Sequence, residues 1–139
     1  MKIAIINGPN LNKIGQREPE IYGTETFEDL LKTLKEKYPN VQFDYKQSNC
    51  EGILIDYLQS VDDSADGVVL NAGAYTHTSI AIADAVRAMK IPVVEVHMSN
   101  TFAREAYRHK SYLSPHVSGV IIGFGMQSYI LAIEALICK

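Results

Sequence analysis

The stretch Lys2-Ile3-Ala4-Ile5-Ile6-Asn7-Gly8-Pro9 decides the fold. Its apolar, β-branched run stops at Asn7-Gly8-Pro9, so it reads as a buried strand that ends in a loop. Gly67 to Leu70, Ile91 to Val96 and Val117 to Ile122 repeat the pattern, and Val41, Phe43 and Tyr45 alternate as a half-buried strand. Continuous apolar runs mark strands covered on both faces, as in parallel sheets.

Helical spacing fills the intervals. Thr26 with Asp29 resembles a capping box, and Phe27, Leu30, Leu31, Leu34 and Tyr38 follow at helical intervals until Pro39-Asn40. Ser48 with Glu51 is expected to cap a second helix carrying Ile53, Leu54, Tyr57, Leu58 and Val61, and a third carries Ile80, Ala83 and Val86. A short helical piece is expected around Ala103 to Tyr107. Gly123-Phe124-Gly125 turns strand five into a last helix with Tyr129, Ile130, Ile133 and Leu136. Five strands alternating with helices imply right-handed crossovers and a sheet between two helical layers. The expected fold is α/β and flavodoxin-like: a three-layer sandwich with a five-stranded parallel sheet, order 2-1-3-4-5, and residues 1–139 as one domain.

At 139 residues the chain can bury one substantial core, and 47% hydrophobic with 21% charged residues suits a globular protein. A net charge of −3 and the lack of any basic, aromatic-interleaved run argue against a nucleic-acid partner. No stretch approaches the length of a signal peptide or membrane span, so no membrane partner and a cytoplasmic location are expected. Cys50 and Cys138, lacking a CxxC partner, read as isolated reduced thiols.

In such a sheet a ligand sits beyond the carboxyl ends of the strands, at the switch point between strands 1 and 3. Strand 1 runs out at Asn7 and leads to Asn12, strand 3 at Asn71 leads to His77, and strand 4 at Glu95 leads to His97 and Ser99. Glu95 and His97, two apart, share a face of their strand. A carboxylate beside an imidazole fixes its tautomer and suits it to general-acid work; the alternative is a hydrogen-bonded core histidine. Arg108 follows the strand 4 loop and can fold back over its mouth.

Asn7 to Gly23 reads as a long loop, of the kind that serves as a lid or binding loop, anchored by Ile14, Ile21 and Tyr22. Arg17 lies five residues before Tyr22. A phenol ionises near pH 10, about, in water, and an adjacent guanidinium lowers that value, which would make Tyr22 a general base. The alternative is a tyrosine packed under the loop and a solvated arginine.

Other chemistries find less support. His77, His97, His109 and His116 lack the HExxH pattern, so no metal is expected, and His109 and His116 read as exposed. No phosphate loop or dinucleotide fingerprint occurs, which speaks against a nucleotide- or flavin-binding module and against any cofactor. A phospho-acceptor signalling domain needs an aspartate where Asn71 stands. For a Schiff base, only Lys13 and Lys46 are placed near the strand ends.

Asn7-Gly8-Pro9-Asn10-Leu11-Asn12, Gly15-Gln16-Arg17-Glu18-Pro19 with Tyr22-Gly23, Asn71 through Ser79, Glu95-Val96-His97-Met98-Ser99-Asn100 and Arg104-Glu105 together resemble the type II 3-dehydroquinate dehydratases, the small dehydroquinases of the shikimate and quinate pathways. The resemblance covers nearly the whole chain; Lys13, Ile14 and Met98 depart from the pattern while keeping polarity or bulk. It implies loss of water from 3-dehydroquinate to give 3-dehydroshikimate. Tyr22 would remove the proton beside the ketone, Arg17 would stabilise the phenolate, Asn12 would hold a water at the enolate oxygen, and His97, oriented by Glu95, would protonate the departing hydroxyl. It further implies an anti, stepwise elimination without metal or imine, with Asn71, His77 and Arg108 on the ring hydroxyls and Met98 and Ser99 on the carboxylate. The same resemblance implies a homo-oligomer, a dodecamer built from trimers, with Asp84 reaching a neighbour's pocket.

Overall fold

The computed structural model describes residues 1–16, 18–22 and 24–138, the Tyr22 side chain excepted. Strands β1 (Lys2–Asn7), β2 (Gln42–Gln47), β3 (Gly67–Asn71), β4 (Val93–His97) and β5 (Gly119–Ile122) form one parallel sheet in the order β2-β1-β3-β4-β5. This is the expected flavodoxin-like topology. The helices are α1 (Pro19–Tyr22), α2 (Phe27–Lys37), α3 (Glu51–Val61), α4 (Ile80–Ala88) and α5 (Gln127–Ile137).

The continuous apolar run of β1 exists because each of its faces feeds a different core. Ile3 and Ile5 pack with Leu30 and Leu34 of α2 and with Tyr129 and Ile133 of α5. Ala4 and Ile6 pack with Leu54 and Leu58 of α3 and with Ile82 and Val86 of α4. Alternate side chains of a strand point to opposite faces, so one six-residue strand serves both layers. Each fully buried isoleucine or leucine here contributes about 1.5–3 kcal/mol relative to an exposed one.

The capping box of α2 is present in both directions: the Asp29 N–H donates to Thr26 Oγ1 and the Thr26 N–H to Asp29 Oδ2. The cap expected at Ser48 is not. The Ser48 hydroxyl instead accepts the Cys50 N–H at 3.0 Å, closing a turn two residues on, and α3 starts at Glu51 without a side-chain cap. Helix α4 is also rotated from expectation. Its cap is Ser79, whose hydroxyl accepts from the Ile82 N–H, so Ile82, Ala83 and Val86 face the core and Ile80 is 62% exposed.

The stretch from Asn7 to Gly23 is not structureless, since it holds a 3-10 turn at Leu11–Lys13 and the single-turn α1. The helical piece expected at Ala103 to Tyr107 is two 3-10 turns, Thr101–Ala103 and Ala106–Arg108. Among the described residues no helix is long and apolar enough to cross a membrane.

Two glycine positions fix the loops around the strand ends. A Cβ on Gly8 would lie 2.5 Å from the Ala72 carbonyl oxygen, so only glycine lets the loop after β1 touch the loop after β3. The Gly8 N–H donates to the Asn71 carbonyl at 2.7 Å. Gly123, with φ of 100°, turns the chain after β5 so that its N–H meets the His97 carbonyl.

Candidate active site

β1 and β3 end in register-paired asparagines, Asn7 and Asn71. The fully buried Tyr129 of α5 joins them: Asn71 Nδ2 donates to Tyr129 Oη at 2.8 Å, and Tyr129 Oη donates to Asn7 Oδ1 at 2.8 Å. Asn7 Nδ2 then donates to Tyr45 Oη at 3.3 Å, and Asn71 Oδ1 accepts the Gly73 N–H at 3.1 Å. Burial pushes the Tyr129 phenol well above its ordinary pKa, so it stays a neutral hydroxyl able to donate. Tyr129→Phe keeps the ring but leaves Asn7 Oδ1 and Asn71 Nδ2 short of partners. The expected cost is about 1–3 kcal/mol, read as a lower urea midpoint at unchanged m-value. An unmoved midpoint would show that the network contributes nothing to stability.

Beyond these asparagines lies a cleft of about 190 Å³ whose wall contains Asn71, His77, His97, Met98, Ser99 and Arg108, six of the residues singled out from the sequence, together with Asn10 and Arg104. Its size suits a small metabolite and falls below the roughly 300–1,000 Å³ of drug-sized ligand sites.

Behind the cleft, His97 Nε2–H donates to Glu95 Oε1 at 2.7 Å, with Glu95 fully buried and His97 nearly so. The Ser111 hydroxyl donates to Glu95 Oε1 at 2.7 Å and the Ser114 hydroxyl to Oε2 at 2.6 Å. Burial raises the Glu95 pKa, but the hydrogen bonds from His97, Ser114 and Ser111 outweigh it, and the carboxyl is held below its ordinary value. An ionised carboxylate only accepts, so Nε2 carries the proton of the His97 bond and Nδ1 is left for other work.

His77 lies alongside, its ring stacked on that of His97 with centroids 6.1 Å apart. Its Nδ1–H donates to the Lys110 carbonyl at 2.7 Å. Burial first, then the His97 and Arg108 charges, outweigh that carbonyl and hold the His77 pKa below its ordinary value. His77 therefore favours the neutral ring, with Nε2 as acceptor.

Two guanidinium groups give the cleft its sign. Arg104 Nη1 donates to Ser99 Oγ at 3.2 Å. Arg108 Nε donates to Glu105 Oε2 at 2.7 Å, and the Glu105 carboxyl is held down to about 2 by its own backbone N–H and then by Arg108. Cations in a cleft wall attract anionic ligands. A buried carboxylate–imidazole pair, a neutral histidine and two arginines around a small cavity can bind a small polar anion and pass a proton to it.

Other expected residues stand elsewhere. Asn12 is exposed and lines an adjoining groove, separated from the cleft by Leu11, which lines both. Asp84 is on the surface of α4, ion-paired with Arg87 at 3.6 Å. Arg17 and the Tyr22 side chain lie outside the described residues. Lys46 sits over the Tyr57 ring and pairs with Asp44, and among the described residues no lysine lines the cleft. Ser111 and Ser114 were not singled out from the sequence, Arg104 entered there only within the motif Arg104-Glu105, and Tyr129 only as a position of the last helix. The paired asparagines ending β1 and β3 offered one usable signal, since a tyrosine on a core-facing helix must find its hydroxyl a partner.

The chain matches the model of the family described as dehydroquinase class II over residues 1–137. It is 53% identical to the 3-dehydroquinate dehydratase of Rhizobium johnstonii, over 96% of this chain and 94% of the relative. It is 55% identical to the 3-dehydroquinate dehydratase of Azorhizobium caulinodans, over 96% and 92%. The solved structure of the type II dehydroquinase from Butyrivibrio crossotus superposes with a TM-score of 0.93 at 46% identity, covering 98% of this chain and 97% of that one.

Proposed function

The chain belongs to the class II dehydroquinase family, and from that premise we propose that it is a 3-dehydroquinate dehydratase, a hydro-lyase of the shikimate pathway or of quinate catabolism, working by anti elimination through an enolate. The observation that carries the reading is the buried Glu95–His97 pair at the back of a small cationic cleft.

The steps follow from the chemistry of each group. Tyr22, as a phenolate beside Arg17, takes the proton next to the ketone, and the C–H electron pair moves into the enolate. Asn12, whose groove adjoins the cleft at Leu11, holds a water at the enolate oxygen where the two meet. The enolate then reforms the ketone and expels the hydroxyl β to it, which leaves as water with a proton from His97. Glu95 keeps the ring oriented and balances its charge. His77, with Nε2 as acceptor, takes a ring hydroxyl, and Asn71 and Arg108 take others. The substrate carboxylate lies at Met98–Ser99, where Arg104, hydrogen-bonded to Ser99, supplies compensating charge. The absence of a lysine from the described cleft wall supports elimination without an imine.

The test is to mix the protein with 3-dehydroquinate and follow the ultraviolet absorbance of the conjugated enone, with borohydride added in a parallel sample. Enone formation without a lysine adduct is expected. No enone defeats the assignment, and a borohydride-trapped adduct defeats the mechanism.

We further propose a homo-oligomer, a dodecamer of trimers in which Asp84 reaches a neighbour's pocket. In support, Asp84 is exposed on α4 beside the exposed Ile80, and a helix face shared around a three-fold axis makes a closed, heterologous contact. Co-assembly of Asp84→Ala with Tyr22→Phe is expected to restore activity above either variant alone, because mixed sites recover one intact set. A fully active dilute monomer would rule this out.

A further inference from the structure

We propose that Ser111 and Ser114 are positioning residues for the acid of this reaction: two hydroxyls that hold Glu95 as an acceptor aimed at Nε2 of His97. The inference rests on the reading of His97 as that acid.

The hydrogen-bond arithmetic of Ser111 sets the direction of its proton. A serine hydroxyl has one hydrogen and two lone pairs. The Leu113 and Ser114 N–H groups both donate to Ser111 Oγ, each at 3.1 Å, and occupy the lone pairs. The remaining hydrogen is thereby directed to Glu95 Oε1, 2.7 Å away, which also accepts from His97. An oxygen that accepts two such bonds carries no proton itself. Ser114 closes the other side at Oε2. A carboxylate with no exposure to water is stable only when donors replace the water it has lost, and these two hydroxyls are those donors besides His97.

The same segment also sets the second histidine. The Lys110 carbonyl, which only accepts, requires hydrogen on His77 Nδ1. Residues 110–114 therefore place the proton on both stacked rings: Nε2 of His97 faces its carboxylate, and Nε2 of His77 is left as an acceptor. The titratable and charged groups gathered about Glu95 are His97 on its own strand, His77 from the turn after β3, and Arg108 and His109 from the loop after β4.

Ser114→Ala is the cleaner variant, because the Ser114 hydroxyl bonds Glu95, whereas Ser111 also closes its own turn. Losing a donor that favours the charged carboxyl means that Glu95 takes up a proton at a higher pH. For the full chain turning over 3-dehydroquinate, kcat is expected to fall by about tenfold or more, with KM within about twofold and the acid limb of the kcat profile moved toward neutral pH. Ser114→Thr, which keeps the hydroxyl, should restore both. If Ser114→Ala lowers Tm alone, with kcat and the acid limb as in the parent, the serine has only a structural role and the proposal falls. Ser111→Ala is the second variant, expected to move the limb the same way at a larger cost in Tm; an unmoved limb there likewise overturns the proposal. His97→Ala separates the two layers of argument. If it turns over substrate normally, the reading of His97 as the acid fails; if it is inactive while both serine variants keep the parent profile, that reading stands and the serine proposal falls.

Discussion

His97→Ala is expected to lower kcat by about 10²–10⁴-fold, the usual worth of a positioned acid or base, while the protein stays folded. The ring lies at the edge of the core rather than within it, packed on His77 at 6.1 Å and facing the cleft. Its removal takes one donor from Glu95 and leaves the Ser111 and Ser114 hydroxyls in place, so the buried carboxylate is not stranded. Near-parental Tm with lost turnover is the expected pair of results. Turnover within tenfold of the parent would take His97 out of the chemistry, whatever its Tm.

Tyr22→Phe is expected to remove nearly all turnover, since it deletes one oxygen and keeps the ring. Its backbone closes the single turn α1, and the assignment of the phenol as base rests on the Arg17–Tyr22 spacing and the family pattern. The two variants should differ in a second measurement. In a stepwise elimination the proton beside the ketone comes off before the hydroxyl leaves. In deuterated water the His97 variant should therefore still exchange that proton into recovered substrate, and the Tyr22 variant should not. Exchange that survives Tyr22→Phe would assign the base to another group; loss of exchange in both variants would argue that proton removal and hydroxyl departure are one event.

β1, β3 and β4 were readable because they are buried on both faces, and β2 because its apolar residues alternate; the strand order followed from the alternation with helices. The strand ends were not readable. Val93 opens β4, two residues later than the apolar run suggests, because Pro92 has no N–H to give a ladder. β5 opens at Gly119, since the 3-10 turn Ser114–His116 and the bridging Ser118 N–H precede it. The Glu95–His97 pair was readable from its two-residue spacing on a strand. Ser111 and Ser114 were not, because they come from irregular chain with no period to place them against a strand sixteen or more residues earlier. Asn12 shows the reverse case. Its motif is plain in the sequence, yet in the described chain it lines the groove next to the cleft, on the far side of Leu11.

The division of β1 between two cores has a consequence for how the molecule breathes. Detaching α2 and α5 would bare Ile3 and Ile5, and detaching α3 and α4 would bare Ala4 and Ile6, so neither layer can open without exposing a face of the same interior strand. Cooperative opening of this kind places the slowest amide hydrogen exchange on the strands common to both layers, while surface turns exchange by local fraying. The paired asparagines Asn7 and Asn71 close β1 and β3, and His97, the proposed acid, closes β4. The groups that must hold their aim are thus mounted on the most slowly exchanging part of the chain.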